Sequence, residues 1–161
     1  MERYMLIDKY CGWPKISLMQ DGRLIMGTYN NPSHGGLCGE AECWTSQDGG
    51  RSFQFSGYPF APEPDTTQAN DCLGIAHNGD IIEGITNYKT NEKGERRRGP
   101  MFSRSSDGGK TFRITCEELC MDAVPGCGLI AMFGHIVQVP DTNTLALSFW
   151  TREPNDPEDY S

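Results

Sequence analysis

No stretch of the 161 residues approaches the roughly 18 consecutive apolar residues of a membrane-spanning helix, so a helical membrane anchor is excluded. Basic residues are scarce: 14 Lys and Arg stand against 22 Asp and Glu, a formal charge of −8. Phosphate binding needs a dense basic face, which excludes nucleic acid as a partner. The one basic run, Arg96-Arg97-Arg98 after "NEKGE", reads as a solvated loop. The N-terminal "MERYMLIDKY" lacks the apolar core of a signal peptide, so any secretion signal is absent or already removed, and the compartment stays open. Long apolar stripes of helical spacing are missing too. The apolar residues come in short runs between turn formers, and Gly and Pro together supply 29 residues, which is an all-β composition.

Metal-knuckle spacing is also lacking. The seven cysteines are Cys11, Cys38, Cys43, Cys72, Cys116, Cys120 and Cys127, an odd number that leaves at least one thiol unpaired within the chain. Cys38/Cys43 and Cys116/Cys120, with His34 and His135, suggest a zinc site only loosely, because neither pair has the two-residue spacing of a knuckle. Buried thiols or an occasional disulfide are the expected reading, with no metal and no cofactor.

What is present is a repeat. "SQDGGRSF" occupies Ser46 to Phe53 and "SSDGGKTF" occupies Ser105 to Phe112, with Asp48 and Asp107 59 residues apart. A fixed period of this size is the mark of a repeat architecture. Upstream of each box lies a hairpin signature. "WPKISLMQDGRLIMGTY" turns at Asp21-Gly22 and "CLGIAHNGDIIEGITNY" turns at Asn78-Gly79, dipeptides that accept the positive φ of tight turns. A third hairpin fits "CGLIAMFGHIVQVPDTNTLALSFW", turning around Pro140 to Asn143, and the spacing puts a third box past Ser161. The unit is hairpin, linker, strand, box, strand. Four antiparallel strands repeated radially describe a propeller blade, so the chain is expected to hold about two and a half blades, near 11–57, 70–116 and 125–151. Within each box the Asp is expected to accept backbone N–H bonds, the glycines to take conformations closed to other residues, and the Phe to pack beneath. This assigns Ser46, Asp48, Gly50, Phe53, Ser105, Asp107, Gly109 and Phe112 to structure.

The pattern Ser-x-Asp-x-Gly-x-Thr/Ser-Trp/Phe resembles the Asp-box, or bacterial neuraminidase repeat, of sialidases and related six-bladed propellers, with Phe here for the commoner Trp. The resemblance implies a partial sialidase-type β-propeller: part of a glycoside hydrolase acting on terminal sugars of glycans, inactive as the isolated chain. It is equally compatible with a non-catalytic propeller that binds glycan or protein, because fold and function are separable. Sialidases hold the substrate carboxylate with three arginines and use an Asp acid/base and a Tyr/Glu nucleophile, drawn from several blades. The first arginine belongs to an Arg-Ile/Leu-Pro motif entering the first blade. Here the matching stretch is "CGWP", with Gly12 in the arginine position, a departure from the pattern.

Functional residues of such a ring gather where innermost strands begin. Asp71, just before "CLGIA", is the acid candidate, and Asp122 is its equivalent before the third hairpin. His34 lies in the Gly-rich loop "YNNPSHGGLCGE", Arg152 after "LSFWT" is a candidate carboxylate ligand, and Trp13 is the one tryptophan considered for sugar contact. Trp44 and Trp150 are assigned to packing. Unpaired strand edges and bare end blades call for a partner, either further copies of this chain or the remainder of a ring.

Overall fold

The structure, a computed structural model, describes residues 5–8, 12–32, 39–90, 96–116 and 130–151. Among them are ten strands and no helix: β1 (Lys15–Leu18), β2 (Leu24–Tyr29), β3 (Ala41–Ser46), β4 (Gln54–Gly57), β5 (Thr66–Ile75), β6 (Ile81–Thr90), β7 (Arg96–Ser105), β8 (Arg113–Cys116), β9 (Ile130–Gln138) and β10 (Leu145–Thr151). The fold is all-β. One sheet runs β1-β2-β3-β4 as an antiparallel meander; the other runs β10-β9-β5-β6-β7-β8. Within the second, β5 to β8 repeat the meander, and the β9–β10 hairpin joins through a parallel pairing of β9 with β5, Cys72 opposite Gly134 and Gly74 opposite Ile136.

The turns form where the sequence places them. Gly22 and Gly79 hold φ of 84° and 87°, and Asp141 holds 58° in the third hairpin. At each of the first two turns the side chain before the glycine takes a nearby backbone N–H: Arg23 N donates to Asp21 Oδ1 at 3.1 Å, and Asp80 N to Asn78 Oδ1 at 3.3 Å.

The two boxes share one hydrogen-bond pattern. Ser46 Oγ donates to Asp48 Oδ1 at 2.8 Å, while Asp48 Oδ1 accepts the N–H groups of Arg51 and Ser52, each at 2.9 Å. Ser105 Oγ donates to Asp107 Oδ1 at 2.8 Å, and that oxygen accepts from the N–H groups of Lys110 and Thr111, each at 3.0 Å. Gly49, Gly50, Gly108 and Gly109 hold φ between 72° and 88°. The hydroxyls and N–H groups of Ser52 and Thr111 hold the two carboxyls well below the usual carboxylate range. Phe53 is buried, and Phe112 packs on the core below its turn.

The core lies between layers. Met19, Ile25 and Cys43 of the first sheet meet Leu73 and Ile81 of the second, and Ala41 and Phe60 meet Ile85. The opposite face of β5–β6 presents Cys72 and Ile82 to Met132 and Ile136 of β9. The second box does more than close its own hairpin. A Cβ on Gly57, the last residue of β4, would lie 2.7 Å from Lys110 O and 2.8 Å from Gly109 O, so the turn after β7 rests on the end of the first sheet.

The expected boundary at residue 70 is corrected. β5 begins at Thr66, because Thr66 to Asn70 already pair with Ile85 to Lys89, and Gly39 bridges to Thr67. A side chain at Gly57 has backbone to displace rather than a flexible neighbour. Gly57→Ala is therefore expected to cost roughly 1–3 kcal/mol of stability, read as a lower urea midpoint at unchanged slope.

Candidate functional site

Strands β1, β5 and β6 enclose a polar knot. Asp71 falls inside β5, at a bulge between Asn70 and Cys72, and not ahead of the strand as the sequence suggests. It is 8% exposed, and its Oδ2 accepts the hydroxyl proton of Thr86 on β6. Bulges put an extra residue into one strand and free backbone groups from the ladder. Here the carbonyl of Asn70 accepts from Lys15 Nζ at 3.0 Å. Lys15 is itself buried, and its ammonium lies 5.8 Å from the ring centre of Phe133 on β9. Burial pulls its pKa down, while Asp71 and Glu83 push the other way.

Glu83 on β6 is fully buried and points at the first sheet. Its carboxyl sits over Gly27 of β2, where a Cβ would meet Oε1 at 2.6 Å, so the glycine makes the hollow that receives it. Asn70 Nδ2 donates to Glu83 Oε1 at 3.3 Å, and the Cys43 thiol to Oε2 at 3.9 Å. Burial raises the Glu83 pKa to about 8, against smaller opposing pulls from Asn70 and Lys15, so it is predominantly protonated at neutral pH. Desolvation pushes the thiols of Cys43 and Cys72 up as well, and Glu83 adds to both shifts. These thiols are therefore poor nucleophiles and poor metal ligands. Cys43, Cys72 and Cys116 are in no disulfide. Among the described residues no three His, Cys, Asp or Glu side chains converge as a metal site.

Trp13 stacks on the buried ring of Tyr29, with centroids 6.0 Å apart and planes at 23°, so one of its faces is committed to packing. A Cβ on Gly12 would run into Thr28 Oγ1, which leaves that position tight for any side chain. Trp44 packs edge-on against Phe55 at 5.6 Å and donates its indole N–H to Glu42 Oε2 at 2.9 Å. His34, Asp122 and Arg152, and the side chain of Trp150, lie outside the described residues. The structure thus brings Asp71 together with Lys15, Thr86 and Glu83, and Trp13 together with Tyr29.

Lys15 and Glu83 are absent from the sequence-based candidates. The signal for both was a single charged residue inside an apolar run, "PKISL" and "IIEGI". Two cavities open elsewhere. One, of about 230 Å³, is lined mainly by apolar side chains including Ile82, Phe102, Leu145 and Leu147, and another, of about 190 Å³, by Asp80, Arg104, Ser106, Thr111, Phe112 and Arg113. Neither includes Asp71 or Trp13.

No protein-family model matches the chain, and no curated protein does. Among solved structures, the chain is similar to a protein of unknown function from Dyadobacter fermentans, with a TM-score of 0.58 and 17% identity over 83% of this chain. That is a likeness of fold. This chain covers 32% of that protein, and the two coverages put the latter at about two and a half times the length of this one.

A buried carboxyl whose folded pKa lies above its unfolded value binds more protons folded than unfolded between the two. Its stabilising contribution is complete below pH 4.5 and declines as pH rises to about 8. Glu83→Gln keeps the shape and an oxygen to accept from Asn70 Nδ2 while removing the titrating carboxyl. The variant is expected to flatten the stability profile across that window and to be more stable than the parent at pH 8, measured by urea unfolding at a series of pH values.

Proposed function

We propose that this chain is a section of an Asp-box β-propeller of the sialidase type whose role is to bind a glycan, without hydrolysing it alone. The observation that carries the reading is the state of the acid candidate. Asp71 is 8% exposed, its Oδ2 is held by Thr86, and a lysine whose amine is already bound to Asn70 lies beside it. A general acid must reach the leaving oxygen of its substrate, within hydrogen-bond distance or through one water. The congested Gly12 position and the Gly in place of arginine point the same way. Support for the architecture comes from the two meanders, the shared box geometry, and a similar fold about two and a half times longer. Two and a half repeats here scale to about six over such a length.

A second reading, part of a glycoside hydrolase, draws on Asp71 and Glu83, two carboxyls close enough to act on one lysine. Glycosidases use such pairs with separated pKa values. Against it stands the complete enclosure of Glu83 between sheets. Purified protein is expected to give no turnover of a fluorogenic sialoside or of a panel of neutral glycosides, while a glycan array shows selective binding. Robust hydrolysis that disappears in Asp71→Asn would overturn the binding reading in favour of the enzyme.

The same architecture calls for a partner. Ile16, Met26, Trp44 and Phe55 form one row across the first sheet, on the face away from the second. Ile16 and Phe55 are exposed, and Leu18 beside them is 68% exposed. Phe133 and Val137 leave the β9–β10 hairpin similarly bare. Met26 within that row is itself buried, so the exposed apolar groups stand as separate spots at its ends, and exposed apolar side chains of this size favour association. Self-association through these flanks is the favoured form. Light scattering at micromolar concentration is expected to report a dimer or larger species, and Leu18→Glu with Phe55→Glu to return it to monomer.

A further inference from the structure

Arg104 and Arg113 are direct partners on β7 and β8, so both side chains stand on one face of the sheet. Like charges in that relation oppose the pairing of their strands. The fold does not require them. Leu24 faces Ser46 as Ile81 faces Ser105, and Thr45 faces Gln54 as Arg104 faces Arg113. The first meander thus fills the same two places with Thr45 and Gln54, and it closes the same box turn without either charge.

The two arginines meet at the cavity of about 190 Å³, whose wall also holds Asp80, Ser106, Thr111 and Phe112. One carboxylate there answers two guanidiniums. Asp80 Oδ2 accepts from Arg104 Nε at 2.6 Å, and Arg104 Nη2 donates to Asn78 Oδ1 at 3.2 Å, while Arg104 Nη1 has no partner among the described residues. The side chains of Arg104 and Asp80 are 31% and 15% exposed, so the pair is held in the wall and not loosely solvated. Arg113 makes no hydrogen bond or ion pair among the described residues. Burial pushes the Asp80 carboxyl up, but hydrogen bonds from Arg104 and Asn78 and the charges of both arginines outweigh it, and the group stays ionised. Nearby Asp107 has its oxygens filled by the N–H and hydroxyl groups of its own turn, Thr111 Oγ1 among them at 2.6 Å. Among the lining residues one positive charge is left over, in a chain of net charge −8.

We propose that this cavity binds the phosphate group of a small molecule, either inorganic phosphate or a phosphate monoester. Arg113 and Nη1 of Arg104 supply charge-assisted donors, and Ser106 adds a hydroxyl. Phe112 leaves an apolar wall for the carbon atoms of an ester. The volume is below the ~300–1,000 Å³ of sites for drug-sized ligands, which fits a small one. A polymer of phosphates needs a dense basic face, whereas one phosphate needs only such a pair. Asp80 sets the selectivity. Its carboxylate has acceptor positions beyond the one that Arg104 takes, so it favours an oxyanion that still has a proton to donate. Phosphate has one at pH 6, because the second ionisation even of a monoester lies at about pH 6, whereas sulfate has none. The site stands apart from the glycan reading and does not rest on it.

The test is isothermal titration calorimetry of the full chain at pH 6 and constant ionic strength, with inorganic phosphate, glycerol 3-phosphate and sulfate as titrants. Saturable binding of phosphate is expected, with sulfate about tenfold weaker or more. Arg113→Gln removes an exposed side chain without a partner, so the fold is retained and binding is expected to weaken about tenfold. Arg104→Thr with Arg113→Gln gives the second meander the residues with which the first one folds, and is expected to abolish binding with the strand circular dichroism retained. Asp80→Asn is expected to narrow the gap between phosphate and sulfate, an effect that a purely structural role would not produce. Whichever of the two phosphates binds more tightly identifies the source, and either result upholds the site. No saturable heat with either phosphate, full binding to the double variant, sulfate bound as tightly as phosphate by the parent chain, or a gap unchanged in Asp80→Asn would overturn the inference. Glycan binding is measured separately on the array, so a failed phosphate titration leaves the functional reading standing.

Discussion

The carbonyls of Gly109 and Lys110, pressed against the bare Cα of Gly57, are the joint on which the molecule is assembled. The turn that makes this contact belongs to β7 and β8, yet it rests on the sheet before it. Its shape is fixed internally by Asp107, whose carboxylate gathers the N–H groups of the next turn, and by two glycines with positive φ. One local structure thus closes a hairpin and sets how closely two sheets approach. A second set of side chains ties the hairpin turns together. Gln20 Nε2 donates to His77 O at 2.7 Å, and His77 N donates to Gln138 Oε1 at 3.0 Å, so three successive turns are linked in a row.

Close approach of the sheets is what buries Glu83 and Lys15, and burial of charge is tolerated only where partners exist. Lys15 finds the carbonyl that the bulge at Asp71 takes out of the ladder. Glu83 meets the demand differently, by keeping its proton and accepting from Asn70 in a hollow that exists because position 27 is glycine. The bulge, the glycine and the protonated acid are consequences of a single spacing. Two sheets a little further apart would admit water, and the carboxyl would ionise.

This explains what was legible in the sequence. The hairpin turns and both boxes are local: a tetrapeptide and its flanks contain their own donors, acceptors and glycines, so Asp21-Gly22 or Asp107 to Phe112 declare themselves without a partner strand. Asp71 was misplaced because a bulge is a property of two strands at once. "TTQAND" is polar and resembles a linker until its ladder to Ile85 through Lys89 is seen. Glu83 and Lys15 were visible as lone charges among Ile and Leu, but only the opposing sheet reveals that both point inward.

Charge follows the same division. Arg23 pairs with Asp21 at 2.8 Å, Arg104 with Asp80 at 2.6 Å, and Arg51 donates to Asp48 O at 3.0 Å, all around the box and hairpin turns. Each of these guanidiniums is engaged at a box or hairpin turn, Arg104 reaching from β7 to the β5–β6 turn. Recognition of an acidic sugar would require such groups uncommitted, converging on one carboxylate with bidentate geometry. On β1, β5 and β6 the described residues instead bring together a lysine, an amide and two carboxyls, joined by Lys15 Nζ to Asn70 O and Asn70 Nδ2 to Glu83 Oε1. A buried knot of that kind links the two sheets and rigidifies them. Under the proposed binding reading, selectivity would fall to the loops that this frame presents.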